Sequence, residues 1–484
     1  MSTFGITGFG AYVPRLRIER AAIAAAHAWM APGLRGAAKG ARAFCGWDED
    51  SITMAVEAAR DCLGTRDRKG VTDLILASTT LPYADLQNSG IVSEALGLEP
   101  TVGTMDVGHS QRAGVSALVN ALRLGRSSLV VASERPVGKP ASVQEISFGA
   151  GAAAFTLGTE APLAFLKGAA TSTRNFVDHF RAAGSDHDYY WEERWIRDEG
   201  YLKLAPPAIN AALKDAGIAA SDVTHFVLPA LQKGFADAVA KAVGVTCAPA
   251  DNLADGCGYA GAAQALLMLV GVLESAKPGD VILVAAFGQG VDALVLEVTA
   301  AITTFRPRLG VAGALADGLT TDSYMRMLTL YGGVDLEWGM RAEKSGKTIL
   351  TEQYRSSDQT AGFIAGKCRA CGTMQFPQLQ YCVNPPCNQP RAQFDQVCLT
   401  DEPHAVLTYT ADWLSYHPAP PLYVGFAQFE NGARLLMEIV DVGPEGIDIG
   451  TPLRNVFRIK EVDKVRGYGR YFWKSTPVSA SRGG

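Results

Sequence analysis

The sequence predicts an α/β fold, built as two similar halves around a central sheet and followed by a cysteine-rich ribbon and a small β-barrel. Three observations predict it. The first is an internal repeat: "GVTDLILASTTLPYADLQNSGIVSEALGL" (Gly70–Leu98) has a counterpart in "SDVTHFVLPALQKGFADAVAKAVGV" (Ser221–Val245). "SLVVASE" (Ser128–Glu134) likewise has one in "VILVAAFG" (Val281–Gly288). Val71 matches Val223 and Val130 matches Val284, offsets of 152 (223 − 71) and 154 (284 − 130), so close that they indicate a duplicated α/β unit. The second is that the strands of each unit are short and apolar on both faces, as in a sheet covered by helices. The third is a run of four closely spaced cysteines followed by alternating apolar and polar segments.

Composition bounds the reading. At ~150 residues per domain, 484 residues suggest about three domains. Hydrophobic residues make up 48% and charged residues 19%, which supports a large packed core rather than disorder. A net charge of −5 argues against a phosphate-backbone binder, so no nucleic-acid partner is expected. There is no apolar run of about 18 residues and no signal-peptide pattern, so no membrane association is expected and the protein reads as cytoplasmic.

Taken in order, the elements begin with "GITGFGAYVPRLRI". Its Gly5, Gly8 and Gly10 hint at a dinucleotide loop, but no G-x-G-x-x-G is present. "SITMAVEAARDCLG" and "APPAINAALKDAG" are Ala-rich helices whose small side chains allow close packing against a sheet. "MDVGHSQRAGVSALVNAL" (Met105–Leu122) reads as a short buried strand, a tight turn, and a helix that starts with small residues. In acyl-transfer enzymes such a strand-turn-helix presents a nucleophile. Here the turn carries Gln111, and an amide is not a nucleophile. "DYYWEERWIRDEGYLKL" (Asp188–Leu204) is rich in aromatics and charges and suits either the mouth of a site or a subunit contact. The repeat ends near Ala300. The division expected is 1–165 and 166–300 for the two halves, 301–360 for a connector with a short helix in "DSYMRMLTLYGG", 361–395 for the ribbon, and 396–484 for the barrel.

In "CRACGTMQFPQLQYCVNPPC", Cys368, Cys371, Cys382 and Cys387 form C-x2-C, ten residues, then C-x4-C. Two such knuckles can close a tetrahedral thiolate site around zinc, and four protein ligands leave no open position, so a structural zinc is expected. Of the nine cysteines, the other five lack partners at such spacing and read as buried small apolar residues. "AVLTYTADW", "YVGFAQFENGARLLMEIV" with Asn-Gly as a hairpin turn, "TPLRNVFRI" and "GRYFWKS" then read as the strands of a small barrel of the OB type.

The core resembles the thiolase fold, in the branch that holds HMG-CoA synthase and the third type of ketoacyl-ACP synthase. The resemblance rests on "GITGFGAYVPRLRI", "WDEDSITMAVEAARDCL", "SFGAGAAAFTLG" (Ser147–Gly158) and "GDVILVAAFGQGVDALVLEV" (Gly279–Val298). The tail from Lys367 resembles the zinc-ribbon plus OB-fold proteins that accompany thiolases and HMG-CoA synthases, the ribbon being rubredoxin-like. The resemblance implies a coenzyme A thioester as substrate. It also places "GITGFGAYVP" on the first strand of the thiolase fold rather than on a dinucleotide loop.

Such synthases use a Cys nucleophile, a His, and an Asn or second His. The position matching the Cys holds Gln111, with Ser110 one residue away; Pro229 or Leu228 falls at the His and Tyr259 at the Asn. Thr80 stands where HMG-CoA synthase has its acidic group, and Ala150 replaces the Asp of the Gly-Asp-Gly-Ala turn. Three residues are therefore candidates for whatever chemistry the site retains: Gln111, His109 in the same turn, and Tyr259, which could donate a proton or hydrogen bond to an alkoxide in retro-aldol cleavage. Cys257 reads as packing. The expectation is an HMG-CoA-synthase-like subunit of an acyl-CoA carbon–carbon bond forming or cleaving complex, paired with a separate thiolase-type subunit. The alternatives are a homodimer with its own acyltransferase or retro-aldolase chemistry, and an adaptor that works only through the OB domain.

Overall fold

The computed structural model describes residues 4–343 and 346–478. The chain forms two compact units: Met1–Cys45, Asp50–Ser93 and Leu98–Met327 make the first, and Gly46–Glu49, Glu94–Gly97 and Leu328–Gly484 the second.

The first unit is built on a nine-stranded sheet. Its strands include β1 (Gly5–Tyr12), β2 (Asp73–Ala77), β3 (Gly103–Val107), β4 (Ser128–Glu134), β5 (Gly151–Gly158) and β6 (Ala164–Thr173). A two-stranded ribbon follows, β7 (His179–Phe180) with β8 (Tyr189–Tyr190); then β9 (His225–Val227), β10 (Val281–Phe287) and β11 (Gly290–Val298) complete the sheet. The order across it is β9-β10-β11-β6-β1-β5-β4-β2-β3. The repeat read from sequence maps onto equivalent places: β2 lies parallel beside β4, and β9 parallel beside β10. Among the described residues, the counterpart of β3 in the second half is reduced to a single bridge between Phe226 and Pro249.

Strands apolar on both faces make sense here because each face feeds a different core. In β10, Ile282, Val284 and Ala286 join one buried cluster while Leu283, Ala285 and Phe287 join another. Helices α1 (Ser51–Leu63), α2 (Ala113–Leu124), α3 (Leu202–Ala216) and α4 (Gln264–Leu273) cover the sheet. Helix α1 begins in a capping box: the Asp50 carboxylate accepts from the Ile52 and Thr53 amides, and the Thr53 hydroxyl accepts from the Asp50 amide. One expectation fails. The strand of "MDVGHSQ" is not buried: β3 is the edge of the sheet, and Met105 is 54% exposed. Its apolar composition satisfies one neighbour, β2, and leaves the far side open.

The second unit holds a three-stranded ribbon (Ile364–Cys368, Met374–Gln375 and Phe394–Cys398) and a closed five-stranded barrel. The barrel strands are His404–Asp412, Leu422–Phe429, Arg434–Ile439, Pro452–Asp463 and Tyr468–Pro477. The expected Asn-Gly turn is present, with Gly432 at φ 95° and the Phe429 amide bonded to the Ala433 carbonyl at 2.9 Å. Phe457 and Trp473, paired on one face of the wall, and Phe429 are buried. The same unit buries a charged cluster. Lys474 Nζ lies 2.8 Å from Asp48 and 2.7 Å from Glu438, and Arg458 reaches Asp441 at 2.9 Å and Glu49 at 3.2 Å. No helix of the described residues is long and apolar enough to cross a membrane.

Candidate functional site

The turn after β3 is shaped by sterics and by ion pairing. His109 sits in the left-handed region at φ 69°, a conformation that costs a non-glycine residue roughly 1–3 kcal/mol. Helix α2 can start where it does because Gly114 has no side chain: a Cβ there would lie 2.5 Å from the Ala262 carbonyl oxygen. The turn is tied to the second half of the sheet. Arg112 pairs with buried Asp292 at 2.8 Å, and both Arg112 Nε and the Ser110 hydroxyl donate to the Gly288 carbonyl at 2.9 Å.

Gln111 is thereby held between two phenols. Its Nε2 donates to the Tyr190 hydroxyl at 3.1 Å, and the Tyr259 hydroxyl donates to its Oε1 at 2.7 Å. Tyr259 arrives by a close backbone crossing with "SFGAG": its amide bonds the Ser147 carbonyl and its carbonyl receives the Gly149 amide. Gly149 is required there, since a Cβ would fall 1.8 Å from the Cys257 carbonyl oxygen. Burial pushes both tyrosines well above their ordinary pKa, with nearby acidic groups adding to the shift of Tyr259 and the Tyr259 charge to that of Tyr190. Both are therefore neutral phenols at pH 7, Tyr259 donating to Gln111 and Tyr190 accepting from it. Burial also pushes the Cys257 thiol up to about 11, and the residue is fully enclosed. It has the character of a packing residue and not of a nucleophile.

Beside the turn lies a cavity of about 580 Å³, with His109, Ser110, His179, Arg181, Asp188 and Gln289 among the groups in its wall. His109, on the exposed side of the turn, borders this space. Sequence reasoning missed several polar groups here. Asp178 and His179 form a hydrogen-bonded pair at 2.9 Å, and the His179 ring stacks on Tyr190 at 5.0 Å. Arg181 pairs with Asp188 at 2.9 Å and donates to the Thr79 carbonyl. Glu134, at the end of β4, is fully buried; burial raises its pKa, opposed by hydrogen bonds from Thr80 and Thr79. Tyr190 and Asp188 lie within the aromatic and charged stretch that stood out in the sequence. Asp178 and His179 precede it, after the end of β6 and at the start of β7, and carry no spacing signal of their own.

The four clustered cysteines converge as their spacing predicts. Each knuckle is closed by the backbone: the Gly372 amide bonds the Cys368 carbonyl, and the Cys387 amide bonds that of Asn384. The Cys368 and Cys387 sulfurs are 3.6 Å apart, those of Cys371 and Cys382 are 3.5 Å apart, and all four lie within 4.8 Å of one another. Tetrahedral zinc with Zn–S of about 2.3 Å needs sulfurs roughly 3.8 Å apart, so the donor set fits that ion.

The chain is similar to known proteins over much of its length. Residues 213–298 match the family described as 3-oxoacyl-[acyl-carrier-protein (ACP)] synthase III C terminal. A hydroxymethylglutaryl-CoA synthase of Aeropyrum pernix is 30% identical over 364 residues, spanning 72% of this chain and 96% of that protein. One from Thermococcus onnurineus is 29% identical over 302 residues, spanning 59% of this chain and 83% of that protein. Among solved structures, HMG-CoA synthase complexed with CoA superposes with a TM-score of 0.57 at 15% identity, covering 71% of this chain and 94% of that one. OleA of Xanthomonas campestris with cerulenin bound gives 0.54 at 20% identity, covering 62% and 97%. The structural likenesses establish the fold.

Proposed function

The chain belongs to the hydroxymethylglutaryl-CoA synthase family of thiolase-fold acyl-CoA condensing enzymes, and from that premise we propose that it takes part in making or breaking a carbon–carbon bond in a CoA thioester without itself becoming acylated. The observation that carries the reading is the state of Gln111. The residue at the turn is an amide with both ends engaged by phenols, and among the described residues no cysteine borders the cavity. A carboxamide neither attacks a thioester nor leaves from one, so covalent catalysis needs a thiolate from elsewhere. A second, thiolase-type chain is the natural source. The exposed edge strand β3 supports a paired assembly, because it has a strand neighbour on one side only, although the Thr104 carbonyl on its open side already accepts from the Gln87 side chain. The ribbon holds one structural zinc through Cys368, Cys371, Cys382 and Cys387, and the protein works in the cytoplasm.

The test is intact-mass spectrometry after incubation with acetyl-CoA. No stable acyl adduct is expected on Gln111, Ser110 or Cys257. An acyl-sized mass increase mapped to any of them would sink the reading.

The second reading is a self-sufficient lyase, favoured by the Tyr259 hydroxyl standing 2.7 Å from Gln111 at the turn itself, with His109 on the same turn. There the phenol would donate to a developing alkoxide. A lone homodimeric chain that turns over a CoA thioester, and loses that turnover in Tyr259→Phe, is its signature.

A further inference from the structure

We propose that His179 is the acid/base group of the cavity, taking a proton from the α-carbon of a bound CoA thioester and returning it, with Asp178 as its positioning residue. This rests on the reading that the cavity accepts a CoA thioester.

The geometry is that of an oriented imidazole. His179 Nδ1 lies 2.9 Å from one Asp178 carboxylate oxygen, and Gln289 Nε2 donates to the other at 2.9 Å. Both carboxylate oxygens are thus engaged, and the pair is enclosed, at 12% and 8% side-chain exposure. The ring is fixed in plane by stacking on Tyr190, 23° from parallel, across the β7–β8 ribbon where the two residues are paired. With Nδ1–H donated to the carboxylate, Nε2 carries the lone pair. Among the described residues Nε2 has no hydrogen-bond partner, and His179 borders the cavity. Of the other candidates, His109 has no carboxylate to orient it among the described residues, and Glu134 is committed to the Thr79 amide at 2.9 Å and its hydroxyl at 3.1 Å.

The step balances without any further reagent. Nε2 takes the α-proton, and the C–H electron pair moves to the thioester oxygen as an enolate. The imidazolium forms against Asp178, and reversal returns the proton. Condensation and retro-aldol cleavage share this enolate, so the assignment does not depend on the direction of reaction. Burial alone would lower the pKa of His179. The hydrogen bond and charge of Asp178, with the charge of Asp188, outweigh burial and the opposing Arg181, and the group titrates above its ordinary value. Tyr190, neutral, forms the remaining face.

The experiment uses the full chain and acetyl-CoA in D2O. Calorimetry first measures binding; no binding overturns the CoA-thioester reading and this proposal with it. If acetyl-CoA binds, α-proton exchange followed by NMR is expected to exceed that in buffer. Binding without exchange overturns this proposal alone. His179→Gln is expected to lower exchange by about 100-fold or more while leaving binding within about threefold. An unchanged exchange rate in that variant overturns the assignment. The wild-type rate should rise with pH as the imidazole loses its proton, with an inflection above about 6.5. Asp178→Asn should move that inflection down, which a merely structural role would not do. His179→Ala, shown to be folded by its thermal transition, should regain exchange with millimolar imidazole; failure of that rescue counts against the proposal.

Discussion

At the scale of single residues, the site is governed by what surrounds an amide. Gln111 would be an unremarkable surface residue in most helix-start turns. Here two buried phenols give it a fixed orientation, one accepting from its nitrogen and one donating to its oxygen. Tyr259→Phe removes the donor and leaves Gln111 Oε1 short of a partner. The expected cost is about 1–2 kcal/mol of stability, read from chemical denaturation. The same variant in a turnover assay separates the two functional readings. A large loss of turnover in the lone chain supports the lyase, whereas a lone chain with no turnover before substitution supports the partner-dependent reading.

At the scale of elements, the cysteine ribbon is the part whose stability depends most on one kind of bond. Among the described residues, the ribbon's own apolar cluster is Cys368, Cys382 and Phe394, with Cys387 partly buried against it. Such a core is small for holding the knuckles, so a metal bound there would supply folding energy, on the order of 10 kcal/mol in model sites. Metal analysis of freshly purified protein is expected to give one zinc per chain, and Cys371→Ser to lose the metal and unfold the ribbon. Less than about half an equivalent of zinc in the wild type would contradict this. Strand β3 teaches a different lesson. Its apolar residues suggested burial, but a strand at a sheet edge has one neighbour, and only the fold reveals which strand stands last.

At the scale of the whole molecule, two features set stability and assembly. The barrel unit buries Lys474 and Arg458 with four carboxylates, two of which, Asp48 and Glu49, come from a distant part of the chain. Burial alone would raise the pKa of Glu438, but the hydrogen bond with His417 and the charge and hydrogen bond of Lys474 hold it at about 2. A carboxylate depressed in the folded state stabilises the fold above its unfolded pKa of about 4.3. That contribution, on the order of 3 kcal/mol, is lost as pH falls through the window from about 4.3 to 2. Thermal unfolding followed in that window should show the barrel weakening, and Glu438→Gln should flatten the dependence. The second feature is assembly. Co-expression with a thiolase-type chain encoded nearby is expected to yield a stable heteromeric complex with activity that neither chain has alone. A soluble homodimer that turns over a CoA thioester by itself would show the partner reading to be wrong.

Much of the fold was legible because its signals are local. The duplicated strands, the doubly apolar strand pattern, the C-x2-C knuckles and the Asn431–Gly432 turn each report on a few neighbouring residues, and neighbouring residues obey their own geometry wherever the chain goes. The substitution of an amide for a thiol at the turn was likewise plain in the sequence. The surroundings of that amide were not. Tyr190 and Tyr259 lie 79 and 148 residues from Gln111 along the chain, the Asp178–His179 pair has no periodicity to announce it, and Trp47, Asp48 and Glu49 give no sign that they belong to the barrel unit. Hydrogen bonds and buried ion pairs are decided by which side chains the folded chain brings within about 3 Å. That distance is a property of the packed chain, and no stretch of sequence carries it.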